Sequence, residues 1–135
     1  MGGGASSVII LDKIATTGKK VKVRVFEGSP DKPIGPGYAF NVNQSDTNLT
    51  NSPIDYVSIK GDRDEEHYLR WIRENEEKWR PSFPDLDIDK LSLYGSFLPR
   101  KLGGIYLEDS YKSLKAKLDV EEVRAKVLKV VPKGD

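Results

Sequence analysis

Residues 7–26 read SVIILDKIATTGKKVKVRVF, and the way this stretch folds decides the architecture. Its second part alternates strictly, with Val21, Val23 and Val25 on one side and Lys20, Lys22 and Arg24 on the other. Period two with one apolar face predicts a half-buried strand over residues 20–26. Residues 7–11 are a short run rich in β-branched side chains. Thr16-Thr17-Gly18-Lys19 lies between the two runs and has turn chemistry, so the pair predicts a β-hairpin.

Working outward, residues 28–37 carry Pro30, Pro33 and Pro36 with three glycines and read as an exposed loop. Tyr38, Phe40 and Val42 alternate as a third strand. Residues 44–53 read as a second loop, and Tyr56, Val57 and Ile59 as a fourth strand. Four short strands with short connections predict an antiparallel sheet. The clearest helix is predicted over residues 62–80. Asp62 stands as cap, Glu65 follows three residues later, and Pro81 is the stop. Its stripe of Tyr68, Trp71, Ile72, Asn75 and Trp79 should pack on the sheet.

Further along, Leu86 and Ile88 alternate with Asp85, Asp87 and Asp89 in the manner of an edge strand, and residues 90–98 suit a short helix. Ser110 is placed to cap a helix bearing Tyr111, Leu114 and Leu118. Asp119 and Glu122 predict a helix over residues 119–127, while residues 128–131 suit helix or strand. The expected fold is a flexible tail, residues 1–7, and one α+β domain, residues 8–135. Its antiparallel sheet comes from the N-terminal half and packs against the 62–80 helix, with one or two further helices behind.

Composition narrows the chemistry. The chain has 135 residues, which fits one domain. Hydrophobic residues are 37% and charged residues 32%, polar for a globular protein but not disordered. A net charge of +1 argues against a nucleic-acid partner, because such binding rests on neutralising phosphates. That total hides an uneven distribution: +2 over residues 1–60, −4 over 61–90 and +3 over 91–135. With no cysteine and one histidine, disulfide scaffolds, thiol nucleophiles and multi-histidine metal sites are excluded.

The start Met1-Gly2-Gly3-Gly4-Ala5-Ser6 matches the N-myristoylation pattern, with Gly2 as the acceptor. Such starts resemble those of retroviral matrix proteins and of small flagellar-membrane proteins of protists. That resemblance implies peripheral attachment to a membrane. One myristoyl chain binds weakly, so a second signal is needed; without cysteine it falls to basic surface, for which Lys19, Lys20, Lys22 and Arg24 are the candidates.

Trp71 and Trp79, flanked by Arg70 and Arg73, also suit a protein-binding face. Asp85, Asp87 and Asp89 resemble the opening of a calcium loop, but Lys90 and Ser96 occupy the places that need glycine and glutamate. His67 reads as a surface residue. Gly35-Pro36-Gly37 and Gly103-Gly104 read as isolated glycine turns, neither followed by a phosphate-loop lysine.

The expected function is therefore a non-enzymatic adaptor or structural protein, cytoplasmic and attached to the cytosolic membrane face through Gly2. The alternative is a soluble assembly subunit using the Trp-bearing helix or loop 28–37. An enzyme or metal-binding protein built on the aspartates is third. No cofactor is marked, and the expected partners are a protein and an anionic membrane surface.

Overall fold

The structure is a computed structural model that describes residues 1–132. The opening stretch is helical, not strand. Helix α1 spans Ala5–Thr16, with Val8 and Leu11 fully inaccessible and Ala15 packed on the core. Positions 8, 11 and 15 share one helical face, so the β-branched run is the buried stripe of a helix. Gly18 takes φ of 65°, the left-handed conformation that closes a helix at this place. The 16–19 segment is thus a helix stop, and there is no hairpin.

Strand β1 is Lys22–Phe26, and it buries Val23 and Val25 as the alternation predicts. Its partner comes from the far end of the chain. Strand β2, Asp119–Val123, runs parallel to β1, with Val23 opposite Val120 and Val25 opposite Glu122. The other edge of β1 meets the first two residues. Gly2 forms a parallel bridge with Phe26, whose N–H donates to the Met1 carbonyl at 2.8 Å. The antiparallel N-terminal sheet is therefore corrected to a parallel pair drawn from both ends. Residues 1–7, expected as a tail, are held against β1 and open α1.

Asp119 and Glu122 do not cap a helix. Glu122 instead accepts from the Tyr111 hydroxyl at 2.9 Å and from Lys115 Nζ at 2.7 Å, which ties β2 to the preceding helix. Residues 128–131 have no regular structure.

Everything between the strands is helix and loop, the long crossover a parallel pair demands. The expected strands at 38–42 and 56–59 are absent. The first is turns, and the second overlaps the short helix α2, Ile54–Val57. The 62–80 helix is a turn at Gly61–Arg63, then α3 (His67–Glu74) and α4 (Glu76–Trp79). The break is Asn75, at φ −126° and ψ 41°, whose side-chain amide donates to the Trp71 carbonyl at 3.0 Å. Its own amide competes for the backbone.

Helix α5, Arg100–Lys115, begins ten residues before Ser110, which is buried within it. Gly103 and Gly104 lie inside α5 rather than in a turn. A Cβ on Gly104 would sit 2.1 Å from the Phe40 carbonyl oxygen, so only glycine lets loop 38–42 lie this close. The aromatic stripe packs on α5 and not on the sheet: the Tyr106 ring lies 4.5 Å from that of Tyr68 and 5.4 Å from that of Trp71. The expected aspartate strand is a turn at Ile88–Lys90, with Asp87 accepting from the Asp89 N–H. Among the described residues, no helix is long and apolar enough to cross a membrane.

Candidate functional site

The two strand ends, the opening of α1 and the loop after β1 converge on one corner. The chain leaves the short Met1–Gly2 bridge, turns through Gly3 and Gly4, and enters α1 at once. No side chain caps this helix end, and its first turn holds no acidic residue. The Ser7 hydroxyl donates to the Gly4 carbonyl at 2.5 Å and so caps no helix N–H, while the Ser7 N–H is itself taken by the same carbonyl at 2.9 Å. Uncapped N–H groups with the positive end of the helix dipole favour an anion.

The glycines are required for different reasons. A Cβ on Gly3 would fall 2.8 Å from Glu27 Oε2, and one on Gly37 would fall 3.0 Å from the Gly4 Cα. These two turns are therefore nested backbone against backbone. The Gly35 N–H donates to the Gly3 carbonyl at 2.8 Å, and Gly35 itself takes φ of 120°. Gly2 differs: a Cβ there meets nothing within 4 Å. Packing does not demand glycine at position 2, whereas close approach of a ligand would.

Glu27 follows β1 directly, half-buried beside this turn. Its Oε1 accepts the Ser29 N–H at 3.0 Å, which fixes the carboxylate and leaves Oε2 toward the glycines. A groove of about 360 Å³ opens next to them, lined by Met1, Gly2, Phe26, Gly28 and residues 125–127, with Lys126 the one charged residue among them. Nearly all of that lining is apolar or backbone. It lies past the carboxyl ends of β1 and β2, where open parallel sheets bind their ligands.

Gly2-x-Gly4-x-x-Ser7 opening a helix, with an acid at the end of the next parallel strand, matches the dinucleotide fingerprint in all but its last position. There, Ser7 is small, 2% exposed and internally bonded, so the close packing that position needs is kept. In that arrangement the glycines admit pyrophosphate to the helix N-terminus and the acid meets a ribose hydroxyl. Glu27 and the glycine turn thus fit a dinucleotide cofactor. The dinucleotide pattern, though not Gly2 itself, escaped the sequence reading because the strand that should precede the glycines is only Met1–Gly2. The usable signal was the spacing of Gly2, Gly4, Ser7 and Glu27.

The residues singled out from sequence are scattered. Gly2 is the one that belongs to this corner. Trp71 and Trp79 are buried, 7% and 0% exposed, with indole N–H groups on Asp109 Oδ2 and the Ile72 carbonyl. Arg70 is paired with Asp64, and Arg73 is exposed. Lys22 and Arg24 share Glu121, at 3.1 and 3.0 Å. Lys19 and Lys20 lie at the opposite end of β1 from the glycines. Asp85, Asp87 and Asp89 are exposed, and Asp87 is held below the usual carboxylate range chiefly by its hydrogen bond from Lys90. Among the described residues, no group of three or more His, Asp or Glu could hold a metal.

His67 is no plain surface residue. Its Nδ1 lies 2.7 Å from the Tyr106 hydroxyl, which accepts the Ile59 N–H at 3.0 Å. Burial and the nearby Lys60 push the imidazole below its ordinary value, which favours the neutral ring, and His67 Nδ1 shares one hydrogen bond with the Tyr106 hydroxyl. This link is far from the glycine turn and holds α3 to α5.

Comparison with known proteins bears on the same corner. No curated protein and no solved structure matches the chain. A sequence model of FAD-NAD(P)-binding proteins matches residues 1–135. That match overturns the expectation of a non-enzymatic adaptor or assembly subunit, and points instead to a domain of the kind used by redox enzymes. The chain belongs to the FAD-NAD(P)-binding family.

Proposed function

We propose that this chain is the dinucleotide-binding part of an oxidoreductase-type enzyme that uses FAD or NAD. The observation that carries the reading is the Glu27 carboxylate, fixed by Ser29 against the Gly2–Gly4 turn. In the proposed arrangement the pyrophosphate lies over Gly2 and Gly3 at the uncapped start of α1. The adenosine ribose places its hydroxyls on Glu27. The adenine ring enters the groove lined by Met1, Phe26, Ala125 and Val127. That groove is of ligand-binding size. The bound cofactor would supply hydride or electron transfer, and the residues described here hold and orient its adenosine half.

Glu27 also sets the choice of cofactor. A carboxylate accepts from a free 2′-hydroxyl and repels a 2′-phosphate, which favours FAD or NAD over NADP. Calorimetric titration with ADP, the moiety shared by these cofactors, tests the reading. ADP should bind, 2′-phosphorylated ADP should bind at least about tenfold more weakly, and Glu27→Gln should erase most of that difference. Absence of ADP, FAD and NAD binding at millimolar concentration from folded protein would sink it.

A further inference from the structure

The opposite end of the strand pair carries a second concavity with unrelated chemistry. It is a groove of about 460 Å³ at the amino ends of β1 and β2. Its floor is apolar, made by Ala15, Val21 and Leu118. Its rim is cationic: Lys19, Lys20 and Lys22 rise on one side and Lys117 on the other, against the single acid Asp119. Among the described residues, Lys22 is paired, with Glu121. Among the described residues, Lys19, Lys20 and Lys117 have no acidic partner within ion-pair distance. Val21 is 42% exposed, so an apolar side chain faces water in the groove that the unpaired Lys19, Lys20 and Lys117 also line.

We propose that this groove docks an acidic, extended segment of a partner protein that carries an aliphatic or aromatic anchor. Two features select that occupant. Lys19, Lys20 and Lys22 fall within a run of four residues, roughly 10 Å at strand spacing, and Lys117 stands on the other wall, so a linear segment with several carboxylates meets more of this charge than one small anion does. The charge surrounds an apolar hollow, which an inserted side chain fills and a flat lipid surface does not. Asp119 on the wall can accept a backbone N–H from such a segment. The site lies at the other end of the strands from the glycine turn, so its occupancy does not depend on the cofactor reading.

A fluorescein-labelled peptide of alternating glutamate and leucine is the probe, read by anisotropy on the full chain. Saturable binding is expected, with a Kd of about 100 µM or tighter at low salt. It should weaken at least about tenfold between 50 and 300 mM salt, as screening predicts. The double charge reversal Lys19→Glu with Lys117→Glu should weaken it at least about tenfold. Val21→Gln should weaken it a few fold while leaving the salt dependence intact, because it removes apolar contact and no charge. All three positions are solvent-facing, and circular dichroism checks the fold of each variant. ADP titration of the same variants should be unchanged, which separates this groove from the cofactor corner. No saturation at 1 mM peptide, or equal binding by the charge-reversed protein, would overturn the proposal. So would lysine-dependent sedimentation with phosphatidylserine vesicles in the absence of peptide binding.

Discussion

The glycine corner, where residues 1–4 meet residues 26–28, and the block formed by α2–α5 are held by different means. The corner is backbone on backbone: three glycines at its turn, a parallel bridge between Gly2 and Phe26 and one fixed carboxylate. The block is side chain on side chain, with Tyr68, Trp71, Trp79 and Tyr106 all under 8% exposed. Large aromatics supply most of the burial and therefore most of the stability. Small residues supply almost none, but they let a ligand reach backbone N–H groups. The molecule thus separates what keeps it folded from what lets it bind, and substitutions should separate the two.

The largest effect belongs to the block. Trp79→Ala removes a fully buried ring and leaves the Ile72 carbonyl without its donor. It should cost about 3–5 kcal/mol in denaturant unfolding. ADP affinity, measured where the variant is still folded, should be unchanged. A fall in affinity of the folded variant would show that the two regions are coupled.

Next comes the joint between them. Asp12 on α1 is 1% exposed and takes Lys60 and Arg63 from the segment after α2. Burial alone would raise its carboxyl, but the hydrogen bonds and charges of Lys60 and Arg63 outweigh burial and hold it below the ordinary 3.8. A depressed carboxylate contributes stability that is fully present above the unfolded value and is lost as pH falls through the folded one. Asp12→Asn should cost about 2 kcal/mol at pH 7. Below about pH 4 the gap between variant and wild type should close, as acid-unfolding curves will show.

On the corner side, Gly2→Ala adds a methyl group that meets no protein atom within 4 Å. Its melting temperature should stay within about 2 °C, while ADP affinity falls roughly tenfold. The smallest effect is Tyr68→Phe. The Tyr68 hydroxyl is buried without a hydrogen-bond partner among the described residues. Removing it should be neutral or stabilise by up to about 1 kcal/mol. A clear destabilisation would show that the hydroxyl has a partner in solution, a buried water for example.

How much of this was legible in the sequence follows the same division. Period two in Val21, Val23 and Val25 marked β1, and the spacing of Tyr68, Trp71 and Ile72 marked a buried helical face, because each pattern is local. Residues 8–11 misled, since four apolar residues in a row do not distinguish strand from helix. The deciding contact is the packing of α1 on α5, almost a hundred positions later. Strand β2 was hidden for a similar reason. Asp119 and Glu122 have cap spacing, and only pairing with β1 and the pull of Lys115 on Glu122 override it. At the site, Glu27 carries no local signal, because its meaning depends on Gly3 lying against it.

The parallel register also fixes an order of events. Arg24 and Glu121, facing each other across β1 and β2, are 97 positions apart. Closing so long a loop is entropically costly and slow relative to the local contacts of α3–α5. The helices should therefore consolidate first and the strand pair zip last. Ala125 and Val127 reach the groove only in that final step. A nucleotide should then have no complete site on partly folded chain. Added during refolding, it should leave the folding rate unchanged while slowing unfolding, which makes the cofactor a latch on the finished molecule and not a template for building it.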